Sequence, residues 1–209
     1  NRIEVWVTNK RGNYDQARNI VALADLGESD GAHILNPTWA PAAGARSPYN
    51  KANTMYETLS LDPRIRDIQQ VSSVMQELSD MELGEAYEKV ESARLLNNGE
   101  YTLNAALGYI SLKTALNQDE VLAVAYEYTY AGQVYQVGEF STDASESLKA
   151  PNALMLKLLK STNNAPNQKG KGTWDLMMKN IYSLGASQMS SDKFELYIQY
   201  RNDSVGTEM

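Results

Sequence analysis

The chain has 209 residues, a formal net charge of −7 and no cysteine. This length suits one large domain or two small ones, with burial of about 70% of the surface of the unfolded chain, and the absence of cysteine excludes disulfides, thiolate metal sites and cysteine nucleophiles. Residues 51–150 carry 7 Lys and Arg against 16 Asp and Glu, so we expect no nucleic acid partner, because duplex binding needs clustered positive charge.

The first two predicted elements are strands joined by a polar turn. Apolar and mostly polar residues alternate through RIEVWVT at 2–8, which is the period of a half-buried strand. A second apolar run, ARNIVALADLGE, follows at 17–28. Residues 29–50 then hold three prolines and two glycines and predict a long surface loop, which contains the only histidine, His33.

Helical signals come next. Asp62 followed by Pro63 marks a helix start, and five apolar residues then recur at spacings of three and four. We predict a helix over 62–78, with a shorter helix over 51–60 before it. The apolar stripe either packs on the protein's own sheet or fills a groove of a partner, and packing is the ordinary role of such a stripe. Its residues are Ile65, Ile68, Val71, Met75 and Leu78.

The rest of the chain is mostly strands by its patterns. The resulting fold class is mainly β (α+β): an antiparallel β-sandwich of about seven to eight strands with two inserted helices. We expect one domain over 1–209, with a loop and helical insertion at about 29–82. Residues 85–95 fit a strand or a helix about equally, and a strand is preferred. The other predicted elements are strands at 107–112 and 153–161, a hairpin at 120–141, a short helix from 174 to about 185, and a final strand at 193–200.

No motif for catalysis or nucleotide binding is present. There is no G-x-S-x-G elbow, no P-loop and no G-x-G-x-x-G fingerprint, and His33 has no partners at metal-ligand spacing. Acidic pairs such as Asp119 with Glu120, or Glu127 with Glu139, provide the two carboxylates that a glycosidase needs, but 26 acidic residues supply such pairs by abundance alone. We therefore predict a protein that is not an enzyme, with no catalytic, cofactor-binding or metal-binding residue.

Tyrosines provide the one candidate contact site. Tyr126, Tyr128 and Tyr130 share one face of a strand, and Tyr135 follows after an Ala-Gly pair. A two-residue turn at 131–132 places Tyr128 opposite Tyr135, and Tyr126 opposite Val137. The four tyrosines form either a platform for a sugar or a protein strand, or the ordinary face of a sheet with paired aromatic residues.

Several phrases in one order resemble the SprA/Sov family, the very large outer-membrane proteins of Bacteroidetes that serve gliding motility and type IX secretion. The resemblance extends over about residues 1–205 and is strongest over 85–190. The phrases are YEKVESARLLNNGEYTLNAALGYISL, ALNQDEVLAVAYEYTYAGQVYQVGEFSTD, LMLKLLKSTN and WDLMMKNIYSLGA. The start at Asn1, directly before a strand pattern, also suggests a piece of something longer.

The resemblance implies a non-catalytic module, periplasmic or extracellular, of an outer-membrane secretion translocon. Its partners would be the parent barrel, other secretion or motility subunits, or secreted cargo, in barrel capping or partner contact. No cofactor is implied, and no apolar run approaches the about 18–20 residues of a spanning helix, so no direct membrane span is expected. The alternatives are a carbohydrate-binding sandwich that uses the tyrosines and, third, a glycosidase with two carboxylates in one cleft.

Overall fold

The structure is a computed structural model of the whole chain. It describes residues 2–12, 14–29, 39, 48–143, 145–163, 173–178, 190, 192–197, 199, 201–202 and 207–208. Contacts divide the chain into two compact units, residues 1–177 and 178–209. Each unit is described by itself.

In its described residues, the first unit contains eight strands and two short α-helices. It also contains 3₁₀ turns at Pro63–Arg66 and Trp174–Leu176. The helices are α1 (Met55–Ser60) and α2 (Val71–Gln76). The strands are β1 (Arg2–Val7), β2 (Arg18–Leu23), β3 (Tyr87–Leu95), β4 (Tyr101–Asn104), β5 (Tyr109–Leu112), β6 (Leu122–Tyr130), β7 (Gln133–Val137) and β8 (Leu154–Lys160).

Six strands form one sheet in the order β1-β3-β2-β8-β6-β7, and a further pairing between β1 and β6 joins five of them into a closed ring. The pairs are antiparallel except β2 with β8, which is parallel. Strand β3 pairs with β2 through most of its length and with β1 only at its end, Arg94 and Leu95. Ser92, with φ of 51°, and a register shift opposite it bend β3 between its two neighbours.

The inside of the ring is apolar and closely filled. Each of the five ring strands contributes buried residues to one cluster, and on β2 and β8 they stand at alternate positions, as one face of a strand requires. Glu4 is also buried there, and its carboxylate accepts hydrogen bonds from the Trp6 indole N–H at 3.2 Å and from Ser141. The strand residues of the cluster are Trp6, Ile20, Ala22, Val90, Ala93, Ala123, Ala125, Leu154, Leu156 and Leu158.

Two layers cover the outside of the ring. The helical segment between β2 and β3 packs on Val21, Leu23 and Met155 through a second apolar cluster. Strands β4 and β5 pair as a separate two-stranded sheet, and Tyr101 of this hairpin packs against Val5 of β1 and Val124 of β6 in a third cluster. The strands are therefore buried on both faces over much of their length.

The structure confirms the predicted fold class, because the described part of the first unit is mainly β, with eight strands in sheets of six and two strands, and two short α-helices. The helix predicted over 62–78 is interrupted. Asp67 is extended, with φ of −88° and ψ of 112°, and its carboxylate accepts a hydrogen bond from the Gln69 N–H at 2.9 Å. This side chain competes with the helical backbone, so a 3₁₀ turn and α2 stand in place of one long helix.

The second unit contains strands β9 (Arg201–Asn202) and β10 (Thr207–Glu208), which pair with each other. The predicted final strand over 193–200 is wrong for its described residues, 193–197 and 199, which lie in a turn and irregular backbone. Phe194, Leu196 and Tyr197 are exposed there instead of packed on a sheet. Of the helix predicted from 174, the 3₁₀ turn is present in the first unit, and residues 179–185 lie outside the described residues.

Candidate functional site

The candidate site is the aromatic face of the β6–β7 hairpin. The register of the hairpin is the predicted one: Tyr128 lies opposite Tyr135, and Tyr126 opposite Val137. A two-residue turn joins the strands, with Ala131 at φ 48° and Gly132 at φ 77°, both in the left-handed region that such tight hairpin turns require. The sequence pattern therefore brings the four predicted tyrosines onto one face.

The tyrosine rings stack on one another. The centroids of Tyr128 and Tyr135 are 5.4 Å apart with an interplanar angle of 23°, and those of Tyr126 and Tyr128 are 6.2 Å apart with an angle of 28°. We call Tyr126, Tyr128, Tyr130 and Tyr135 the tyrosine row. Pairs of this kind contribute about 0.5–1.5 kcal/mol beyond their burial, so the stacking itself stabilises the hairpin.

Tyr49, a loop residue that the sequence pattern did not predict as part of the site, packs against the tyrosine row. Tyr49 lies edge-on to Tyr135, with centroids 5.3 Å apart and an interplanar angle of 68°. The Tyr128 hydroxyl donates a hydrogen bond of 2.7 Å to the carbonyl of Pro48. The Asn50 backbone N–H donates to the Gln136 carbonyl at 3.1 Å, beside the outer edge of β7. No periodicity links residue 49 to the hairpin, so only the fold reveals this contact.

Exposure rises along the row from the ring to the turn. Tyr126 packs between two apolar clusters, and burial, with the nearby charge of Glu28, raises the pKa of its phenol. Tyr128 and Tyr135 are half-buried. Tyr130 at the tip is 60% exposed. The row therefore has one end fixed in the core and one end open to solvent.

The described β6–β7 hairpin itself contributes no charged side chain to the aromatic face. Between residues 126 and 137 the sequence has one charged residue, Glu127, and alternation along β6 places it on the face opposite the row. A ligand of this surface would meet phenol rings, their hydroxyls and the backbone. Such a surface suits an uncharged partner.

At the base of the hairpin, Glu139 belongs to a buried ion pair. Its carboxylate accepts two hydrogen bonds from the Arg66 guanidinium, at 2.6 and 2.8 Å, and the two side chains are 3% and 10% exposed. The Tyr56 hydroxyl and the Met155 N–H each donate to it at 2.8 Å. Burial and the adjacent carboxylate raise the pKa of the Tyr56 phenol. Glu139 thereby fastens α1 and the 3₁₀ turn to the sheet.

Asp119 and Glu120, the other adjacent acidic pair named from the sequence, also have partners within the protein. Asp119 forms a surface ion pair with Lys10, which lowers the pKa of the Asp119 carboxyl. Glu120 is buried and accepts a hydrogen bond of 2.6 Å from the Asn117 N–H. These carboxylates, like that of Glu139, hold backbone and side chains in place.

Among the residues that the structure describes, no group of three or more acidic, histidine or cysteine side chains could hold a metal ion. His33 lies outside the described residues. Within the described part of the chain, no helix is both long enough and apolar enough to cross a membrane.

No model of a protein family matches the sequence. No curated protein matches it either.

Proposed function

We propose that this chain is a non-catalytic module, periplasmic or extracellular, of a large outer-membrane translocon for protein secretion and gliding motility. The observation that carries the proposal is the order of phrases over residues 85–190, which resembles the SprA/Sov family. The module acts by contact: it caps the barrel of the parent protein, or it meets other subunits or secreted cargo.

Two features of the site support a contact role. The carboxylates with the best-defined surroundings are engaged by the protein itself, as Glu139 is by Arg66, Tyr56 and Met155. The open end of the tyrosine row instead presents an aromatic ring to solvent, because Tyr130 is 60% exposed. Exposed aromatic residues are enriched where proteins meet partners.

The absence of cysteine allows a sharp test in cells. Single cysteines at Tyr130 and at Leu107, which is 74% exposed, would be treated in the intact parent protein with a maleimide that does not cross membranes. We expect labelling of both from the cell surface or, for a periplasmic module, only after the outer membrane is permeabilised. Ala123→Cys, at a fully buried position, is the control that should react only after unfolding.

Crosslinking identifies the contacts. With a short bifunctional reagent on the same two cysteines and mass spectrometry of the linked peptides, we expect links to the parent barrel or to secretion subunits. Links confined to cytosolic proteins would contradict the proposal.

The second candidate function is carbohydrate binding, which the open, uncharged and stacked tyrosine face favours. Sugars bind by stacking their apolar faces on aromatic rings, and Tyr130 is the row's most exposed ring. Titration of the chain with soluble oligosaccharides tests it. Binding that Tyr130→Ala abolishes, and that Tyr14→Ala at another exposed tyrosine leaves intact, would support this candidate.

A further inference from the structure

We propose that Asn98, in the turn between β3 and β4, is a site of spontaneous deamidation, at which the backbone nitrogen of Gly99 attacks the side-chain amide. The products are isoaspartate and aspartate at position 98. This inference goes beyond the proposed contact function and is independent of it, because it concerns the covalent chemistry of one turn.

Asn98 and Gly99 form the only Asn-Gly pair in the sequence. Attack by the following backbone nitrogen requires the asparagine side chain to fold back over the next peptide bond, and a Cβ on the next residue hinders this approach. Glycine has no Cβ and permits it. Both residues are exposed to solvent, so water reaches the amide and the ammonia that leaves can diffuse away.

The turn leaves the attacking nitrogen available. The Glu100 backbone N–H donates a hydrogen bond of 2.9 Å to the Asn97 carbonyl, which places Asn98 and Gly99 at the two central positions of a β-turn. Among the residues that the structure describes, the Gly99 N–H has no hydrogen-bond acceptor. A Cβ built on Gly99 meets nothing within 4 Å. The nitrogen is therefore neither engaged nor shielded by the fold.

The Tyr101 hydroxyl lies at the amide that reacts. It donates a hydrogen bond of 3.4 Å to Asn98 Oδ1, the oxygen that gains negative charge when the nitrogen adds to Cγ. A donor at such an oxygen stabilises the charge as it develops. The Tyr101 ring packs against Val5 and Val124, so the core of the protein holds this donor in place.

The reaction balances with water as its only co-reactant. In the first step the bond from Gly99 N to Asn98 Cγ forms and the bond from Cγ to Nδ2 breaks. Ammonia leaves with the proton of the Gly99 nitrogen, and a cyclic imide remains. In the second step water opens the imide at one of its two carbonyls. Opening at Cγ gives aspartate, whereas opening at the Asn98 backbone carbonyl gives isoaspartate, whose main chain runs through Cβ and Cγ.

Isoaspartate at position 98 would loosen the hairpin of β4 and β5. The main chain gains one carbon between Asn97 and Glu100, inside the turn that their hydrogen bond closes. Glu100 is also tied to β3, because its carboxylate accepts hydrogen bonds of 3.0 and 2.8 Å from the Arg94 guanidinium. A longer turn displaces one of these two attachments. We therefore expect faster hydrogen exchange of the β4 amides in the isoaspartate form.

The test is incubation of the purified 209-residue chain in neutral buffer, followed by proteolysis and mass spectrometry of the peptide that contains Asn98. We expect conversion to isoaspartate and aspartate, with isoaspartate identified by its methylation by protein isoaspartate methyltransferase. Gly99→Ala should slow the conversion by at least about tenfold, which corresponds to about 1.4 kcal/mol of activation free energy. Asn97, which is exposed in the same turn but precedes Asn98 and no glycine, is the internal control and should stay intact.

Circular dichroism shows that Gly99→Ala is folded, as the open space around its Cβ predicts. A synthetic peptide of residues 94–101 gives the reference rate. The inference is overturned if Asn98 stays intact in the folded chain while the peptide reacts, if aspartate forms without isoaspartate, or if Gly99→Ala reacts as fast as wild type. Asn98→Asp adds the charge without the extra carbon, so exchange of the β4 amides as fast in this variant as in the isoaspartate form would reject the effect of the longer turn.

Discussion

The two ends of the β6–β7 hairpin differ in burial and in their contacts. At the base, Val137 and Glu139 are buried, and Glu139 makes charged hydrogen bonds to Arg66 across the helical segment. At the tip, Tyr130 and Val134 are exposed, and the turn has open space around it. One pair of strands thus carries a fixed end that belongs to the core and a free end that is available for contact.

The difference shows how the row can be both ordered and accessible. Tyr126 is held by the core, Tyr128 stacks on Tyr126, and Tyr135 stacks on Tyr128, so Tyr128 and Tyr135 are positioned while they stay partly exposed. A surface that is ordered before binding loses less conformational entropy on association. The buried base of the hairpin therefore helps to order the rings that lie nearer its exposed tip.

The largest expected effect comes from breaking the buried ion pair with Glu139→Gln. The amide keeps the shape of the side chain but leaves the Arg66 guanidinium, which is 10% exposed, without a counter-charge. Loss of one partner of a buried pair costs about 3–5 kcal/mol. Urea unfolding followed by circular dichroism measures the free energy of unfolding.

The matched control is Glu77→Gln. Glu77 pairs with Arg64 in an exposed ion pair, and such pairs contribute little to stability. Equal unfolding free energies for the two variants would show that the base of the hairpin is not fixed by Glu139, and the contrast between the two ends would fail.

Two glycines at opposite ends of the hairpin give the second test. Gly132 in the turn and Gly138 at the base have nearly the same φ, 77° and 80°. A Cβ on Gly132 meets nothing within 4 Å, whereas a Cβ on Gly138 lies 2.9 Å from the Ala125 Cα. The left-handed backbone costs an alanine about 1–2 kcal/mol at either position, and overpacking adds about 1–3 kcal/mol at Gly138 alone.

We therefore expect Gly138→Ala to reduce the free energy of unfolding more than Gly132→Ala, in the same denaturant assay. The difference between the two variants measures the close approach of β6 and β7, because the backbone term is shared. An equal loss in both variants would mean that the base tolerates the extra methyl group and is looser than its contacts imply.

The sequence predicted the parts of this comparison that depend on local pattern. Alternation in β6 and the Ala131-Gly132 turn were sufficient for the register, and with it the positions of Tyr126, Tyr128 and Tyr135 on one face. Strand β1 was predicted from alternation and β8 from an apolar run, whereas the pattern of β3 also fitted a helix. These features are set by neighbours along the chain.

Features that depend on contacts between residues far apart in the sequence could not be predicted from local patterns. Asp67 interrupts the helix through one side-chain hydrogen bond, although the apolar stripe continues across it. Tyr49 joins the row, and Arg66 meets Glu139, across 86 and 73 residues of sequence. The final strand predicted at 193–200 fails because alternation alone does not supply a neighbouring strand, and an unpaired strand leaves its backbone groups unbonded.

The smallest expected effect concerns the fixed end of the row at high pH. The folded state raises the pKa of the Tyr126 phenol through burial, while in the unfolded chain a tyrosine ionises near pH 10. Above about pH 10 the unfolded state loses this proton and the folded state keeps it, so stability falls as pH rises toward the folded pKa, by at most about 1.4 kcal/mol per pH unit for one phenol. Below pH 10 the effect is absent.

Tyr126→Phe removes this pH dependence, so the variant should lose stability less steeply than wild type between about pH 10 and 11 in urea unfolding. Tyr14→Phe is the control for loss of an exposed phenol. If the two variants show the same pH dependence, Tyr126 is reached by solvent, and the row has no end that is fixed in the core.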